Sequence, residues 1–209
     1  MTPEGIKMPI PQGVSLSLSR KVEFINVLES LLMRSILLLT SLLLAGIASA
    51  APDSSEPITD VESIQVVFTP GASGYAAITS LLAKAQSSVR VSAYHFRSRT
   101  VADALIAAKK RGVDVAVIMD RRNLQSKKNM APYVSQAGIP VWIDDKHSVT
   151  HNKYLVVDDK WVETGSFNYR DNAEFENSEN LLIVHSPALA RQYIKNWKTH
   201  VVHSTPATP

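Results

Sequence analysis

His151 and Lys153 stand two residues apart, Asp158 lies five beyond the lysine, and Gly165-Ser166-Phe167-Asn168 begins seven residues after that. Residues i and i+2 of an extended strand project from the same face. The imidazole of His151 and the ammonium of Lys153 are therefore expected to share one space. Ser166 and Asn168 have the same relation and can face that space from a neighbouring strand. A nucleophile or proton carrier, a fixed cation, a hydroxyl and an amide would then converge, which is equipment for attacking a phosphate ester. Asp158 is seven residues from His151 and falls on the other face. It is expected to brace the turn at 158–160 rather than meet substrate. Glu179, in Asn177-Ser178-Glu179-Asn180, comes just before a strand. If it accepts the Nδ1–H of His151, it fixes the tautomer that leaves Nε2 free to attack.

These groups need a scaffold. Residues 64–68 read as a strand ending in the turn Thr69-Pro70-Gly71, and 75–85 as a helix from the spacing of Ala76, Ile78, Leu81 and Leu82. A strand over 88–96 has Val89, Val91 and Ala93 alternating. Thr100 is the expected N-cap of a helix over 101–111, closed by Gly112. Residues 113–119 form a nearly continuous apolar strand, of the kind covered on both faces. A weaker helix at 130–137, a strand at 140–143, a strand pair at 154–157 and 161–165, and a strand at 181–185 follow. Pro187 opens a last helix. Its Leu189, Tyr193, Ile194, Trp197 and Val201 make one apolar stripe, which assigns Trp197 to the core. Strands alternating with helices predict an α/β layered sheet. No repeat is visible, and the H-x-K motif occurs once.

In open α/β sheets ligands collect at the carboxyl ends of strands. Arg97 and Arg99 follow one such end and Arg121 and Arg122 another, with Lys127 and Lys128 close behind. Cations on two separate loops would attract a polyanion and position its phosphates. His95 ends a strand at the same edge and can line the pocket. Lys109-Lys110-Arg111, by contrast, complements a helix dipole.

The chain has 209 residues, enough for one domain and a short extra segment, and a net charge of +3. It has no cysteine, which excludes disulfides and thiolate metal sites. His147, His185, His200 and His203 show no recognisable metal spacing, so neither a metal nor a cofactor is expected. Residues 36–47 have the length of a secretory apolar core and are too short for a comfortable membrane span. Met33-Arg34 precedes them and Ala48-Ser49-Ala50 supplies a cleavage pattern. The expected layout is an upstream, non-native extension at 1–32 with Met33 as the start, and a signal peptide at 33–50. A flexible lead-in at 51–62, a catalytic domain at 63–203 and a tail at 204–209 follow. This predicts a periplasmic or secreted protein with no stable membrane span after processing.

H-x-K-x4-D with G-S-x-N resembles the HKD motif of the phospholipase D superfamily. The segments at 107–115, 138–140, 162–168 and 177–180 are similar to its small single-motif bacterial endonucleases, over about 64–197. The resemblance implies a mixed β-sheet flanked by helices on both faces, one HKD motif per chain, and a homodimer in which two histidines meet across a two-fold axis. One His151 would attack phosphorus to form a phosphohistidine, and the second would protonate the leaving oxygen and then activate water. Lys153, Ser166 and Asn168 would hold the non-bridging oxygens, and Glu179 would orient His151. Asp158 and Gly165 would shape the motif, and no metal would be required. His95 stands where the group leads one to expect a small polar residue, and the loop of Arg121 and Arg122 also departs from it. The expected activity is metal-independent cleavage of DNA or RNA. Phospholipid headgroup hydrolysis is the alternative, and nucleic-acid binding without turnover a third reading.

Overall fold

A computed structural model describes residues 57–207. The expected extension, signal peptide and most of the lead-in lie outside the described residues. Eight strands form one mixed sheet: β1 (Ser63–Thr69), β2 (Ser88–Ala93), β3 (Asp114–Asp120), β4 (Val141–Asp144), β5 (Lys153–Val157), β6 (Trp161–Gly165), β7 (Glu179–His185) and β8 (Thr205–Pro206). Their spatial order is β1-β7-β6-β5-β2-β3-β4-β8. Only β2, β3 and β4 pair in parallel; every other pair is antiparallel. The helices are α1 (Gly74–Ala83), α2 (Arg99–Lys110), α3 (Ala131–Gln136), α4 (Asp171–Phe175) and α5 (Pro187–His203), with a 3-10 turn at Arg121–Gln125. The short α4 and β8 carry too little pattern to be expected from sequence. β8 uses part of the presumed tail to cover the edge of β4.

The alternation within strands explains the layers. Val115, Val117 and Met119 of β3 face the larger core with α1, α2 and α3, while Ala116 and Ile118 face the smaller core under α5. The central strands are apolar on both sides because both sides are covered. The stripe on α5 packs as its spacing implies, and Trp197 is buried with its Nε1 donating to Val91 O at 2.9 Å.

Ser98, not Thr100, caps α2, its hydroxyl accepting from Val101 N at 3.2 Å. The chain is still tied as extended structure up to that point, because Arg97 N and Ser98 N both donate to Tyr169 O at 2.8 Å. The helix can begin only afterwards. Asp158 and Asp159 both take positive φ, 54° and 53°, in the β5–β6 turn, which suits the right-handed twist of a hairpin. The Asp158 carboxylate reaches outside its own turn. It accepts from the amides of Gln86, Ser87 and Ser88 at 3.0, 2.7 and 2.9 Å and fixes the entry to β2. Burial opposes its charge, but these bonds hold its pKa below the ordinary value.

Candidate active site

The sheet register delivers the motif to one edge. β2 and β3 run toward it and end at Ala93 and Asp120. β5 starts there, with Lys153 opposite Ala93. β6 returns to it, with Gly165 opposite Leu181 at the start of β7. Gly165 is required by close approach: a Cβ would come within 2.3 Å of Asn180 O.

His151 is exposed and lies just ahead of β5, in the loop rather than the strand. Lys153 is buried, and its Nζ donates to His151 O at 2.6 Å and lies 3.1 Å from His151 Nδ1. The shared space implied by the spacing is present. Asp120 pins the loop from below. It is fully buried, and its Oδ2 accepts from Thr150 N at 2.8 Å while Oδ1 accepts from Arg122 N at 2.8 Å. The Tyr94 ring packs 4.4 Å from that of His151 and 4.0 Å from that of His95, with Lys153 Nζ 5.0 Å from its centre.

Cations dominate the electrostatics. Partial burial and then the Lys153 charge push His151 below 6.5, with Asp120 opposing. Burial, then Arg97, Arg170 and Lys153, lower His95 to about 4. Burial lowers Lys153 as well; Glu179 opposes this and Arg170 adds to it. The Nε atoms of Arg97 and Arg170 and the Oδ1 of Asn168 are buried without a hydrogen-bond partner. Buried polar atoms in that state are rare, and a water, an ion or a ligand oxygen would satisfy them.

Several expected roles change. Glu179 does not meet His151. It opens β7 beside the end of β6, so its Oε2 accepts from Ser166 Oγ at 2.6 Å and its Oε1 from Asn177 Nδ2 at 2.8 Å. The Ser166 hydroxyl proton is therefore committed to Glu179, while its oxygen accepts from Asn180 N at 3.0 Å. Arg99 is engaged on its own helix, bonded to Asp103 at 2.9 Å and stacked 3.7 Å over Tyr133. Arg122 leans on Asp120 at 3.5 Å, and Arg121 is exposed. Tyr94, Asp120 and Arg170 were not anticipated. For Arg170 the signal existed: Ser166, Asn168 and Arg170 alternate with buried Phe167 and Tyr169.

The model of the family described as cardiolipin synthase, PLD-like domain, matches residues 78–201. The chain belongs to the phospholipase D-like family. It is 36% identical to phospholipase D of Rickettsia typhi over 153 residues, 71% of this chain and 75% of that protein. Mitochondrial cardiolipin hydrolase of Xenopus laevis is 30% identical over 136 residues, 65% of each chain. Among solved structures, the phospholipase D family member Nuc from Salmonella typhimurium superposes with a TM-score of 0.68 at 35% identity, covering 70% of this chain and 99% of that one. The mixed sheet flanked by helices is thus the phospholipase D-like fold, and the protein is a phosphodiesterase of that superfamily.

The histidines set aside in the sequence divide. His185 stacks on Trp161 at 4.1 Å and pairs with Glu62 at 2.9 Å, at the far end of β7. His147, His200 and His203 instead gather around Asp144 at the end of β4. Spacing along the chain does not show this grouping, because 56 residues separate Asp144 from His200.

Proposed function

We propose that the enzyme is a nuclease that cleaves phosphodiester bonds of DNA or RNA through a phosphohistidine, as a homodimer with a composite site. The observation that carries the substrate class is the pair of buried, unpartnered arginine Nε atoms of Arg97 and Arg170. With Lys153 and the exposed Arg121, Lys127 and Lys128, they suit a chain of phosphates.

The His151 geometry supports the dimer. A lysine ammonium can only donate, so Lys153 facing Nδ1 leaves the neutral ring its proton on Nε2. In that tautomer Nε2 has no lone pair for attack, and the ring becomes a general acid only when a second proton makes it imidazolium. Attack through Nε2 needs an acceptor at Nδ1, and Glu179 of the same chain is engaged elsewhere. In-line displacement also needs a nucleophile on one side of phosphorus and an acid on the other. An isologous interface brings His151 of the partner subunit to the same phosphate. Lys153, Asn168 and Arg170 then stabilise the charge on the non-bridging oxygens without a metal at phosphorus. Ile64, Val66 and Phe68 are exposed along edge strand β1, whose Phe68 lies opposite Asn180 beside the site, and they provide an apolar surface for that contact.

Phospholipid is the second reading, favoured by the exposed Leu124 within the basic turn and by exposed Phe175. Export with cleavage after Ala50 completes the proposal; it rests on the apolar core at 36–47 and Ala48-Ser49-Ala50, and intact mass of the exported protein tests it by a start at Ala51.

The deciding experiment offers the purified protein plasmid DNA, RNA and phosphatidylcholine vesicles in parallel, with no magnesium or calcium added. Nucleic-acid cleavage is expected. Headgroup release alone would establish the second reading, and strict dependence on added magnesium would overturn the mechanism.

A further inference from the structure

Asp144 is the last residue of β4 and is fully buried. Its Oδ2 lies 3.1 Å from His147 Nδ1, 2.6 Å from His200 Nδ1 and 3.4 Å from His203 Nε2. One donor atom from each of the four residues falls within 4.8 Å of all the others. His203 Nε2 is buried and makes no hydrogen bond, although it points at the carboxylate. His200 and His203 are three apart in the last turn of α5 and so share a helix face. His147 comes to them from the loop after β4.

We propose that Asp144, His147, His200 and His203 bind one divalent transition-metal ion, with Zn2+ as the natural occupant. Tetrahedral zinc with bonds of about 2.0–2.1 Å holds its ligand atoms roughly 3.3–3.4 Å apart. The separations of 3.1 and 3.4 Å from Asp144 to His147 and His203 lie close to that spacing, and the 2.6 Å contact to His200 would open by a small shift of the carboxylate. A carboxyl buried as the anion needs a cation beside it. Among the described residues the ion-pair partners of Asp144 are these three imidazoles, and neighbouring Lys146 contributes only its amide, at 3.2 Å. The ring centroids lie 4.9, 5.2 and 5.4 Å apart, so charging all three rings would set like charges side by side. A single dication satisfies every donor at once. Imidazole nitrogen selects zinc, copper or nickel over magnesium and calcium, which take oxygen donors. Four protein ligands fill a tetrahedral shell, the mark of a structural site and not a catalytic one. Its effect would be to clamp the end of α5 to the loop at 145–150, which leads directly into His151. The inference holds whichever phosphodiester the enzyme cleaves.

The test uses purified, tag-free protein, stripped with a chelator and then titrated with Zn2+ by calorimetry, with metal content and melting temperature measured in parallel. One zinc per chain is expected. At about a hundredfold excess over the dissociation constant, the melting temperature should rise by roughly 5–10 °C. Magnesium and calcium should not reproduce the rise, and Co2+ should give the visible spectrum of a tetrahedral site. The double variant His200→Ala/His203→Ala should lose stoichiometric binding. Should that variant fail to fold, His147→Ala alters only an exposed loop position. Its affinity should fall by more than the roughly 10–100-fold typical of losing a residue that merely supports a ligand. No zinc uptake and no thermal shift in the wild type, or unchanged binding in His147→Ala, would show a hydrogen-bonded histidine–aspartate cluster only.

Discussion

Two groups of histidines lie at the same edge of this sheet, and their neighbours give them opposite chemistry. His95 and His151 sit among Lys153, Arg97 and Arg170, which lower both rings. Among the described residues neither has a carboxylate bonded to it, although the charge of Asp120 is felt by both. His147, His200 and His203 surround a carboxylate that no lysine or arginine among the described residues pairs with. Beside cations an imidazole stays neutral and available for proton or phosphoryl transfer. Around a buried anion the same ring becomes a ligand or a counter-ion.

The sharpest way to break this contrast is substitution at each cluster. His151→Ala should abolish turnover with the fold intact, since an exposed ring contributes little packing. Lys153→Ala should lower kcat by on the order of 10²–10³, the usual loss for one preorganised charge or donor. His200→Ala should leave kcat at 25 °C within a few-fold of wild type. Steady-state kinetics and circular dichroism on the three variants decide it. Near-normal turnover in His151→Ala would remove the catalytic half of the comparison, and a His200→Ala loss as deep as that of Lys153→Ala would merge the two clusters into one site.

Subunit mixing tests whether the catalytic histidine acts alone. In the proposed homodimer, exchange of wild-type chains with His151→Ala chains would give heterodimers with one histidine at the shared phosphate. Activity should fall as the square of the wild-type fraction. A fall in simple proportion, or full activity from a species of monomer mass in light scattering, would show that one chain suffices.

The candidate catalytic residues could be picked out in the sequence because they are close in the chain and obey strand periodicity. His151, Lys153, Ser166 and Asn168 needed only the i, i+2 rule and one hairpin. Glu179 was identified but given the wrong partner, because the neighbour of a strand's first residue depends on register, which a single sequence does not reveal. Arg99 looked like a site cation until Ser98 began the helix two residues earlier. The metal-type cluster was invisible for a different reason. His200 and His203 show helical spacing, but nothing in the chain marks Asp144 as their neighbour until β4 and α5 are packed. The layered α/β fold was readable from periodicity; α4 and β8 were too short to be.

The acidic limb of the rate profile should show a smaller effect. Burial and Lys153 place the His151 pKa below 6.5, so the neutral ring persists to lower pH than an ordinary histidine allows. The limb of kcat/KM should fall below 6.5 and move upward in Lys153→Ala, measured on whatever activity remains. A limb at or above the ordinary value in the wild type would mean that the cations do not control the ring.

A third buried group sharpens the comparison from the acid side. Glu163 is as fully buried as Asp144, yet among the described residues the group bonded to its carboxyl is the Tyr169 hydroxyl, and no imidazole or cation. Its Oε2 accepts from Tyr169 OH at 2.7 Å and its Oε1 has no partner. Burial, only partly offset by that hydroxyl, pushes its pKa up from 4.5 to about 8. The carboxyl is therefore protonated at neutral pH, whereas Asp144 is held ionised. Because the folded pKa is the higher one, the unfolded chain releases this proton first. Stability should be fullest below 4.5, decline as pH climbs toward 8, and level off above. Glu163→Gln keeps the acceptor for Tyr169 and has nothing to titrate. It should flatten that decline, with a difference from wild type of several kcal/mol, on the order of 3–5, between the two ends of the window. Urea unfolding of both proteins at pH 5 and pH 8.5 measures it. Equal slopes in the two proteins would show that Glu163 is ionised in the folded state, and that burial without a cation does not by itself set the charge of an acid in this sheet.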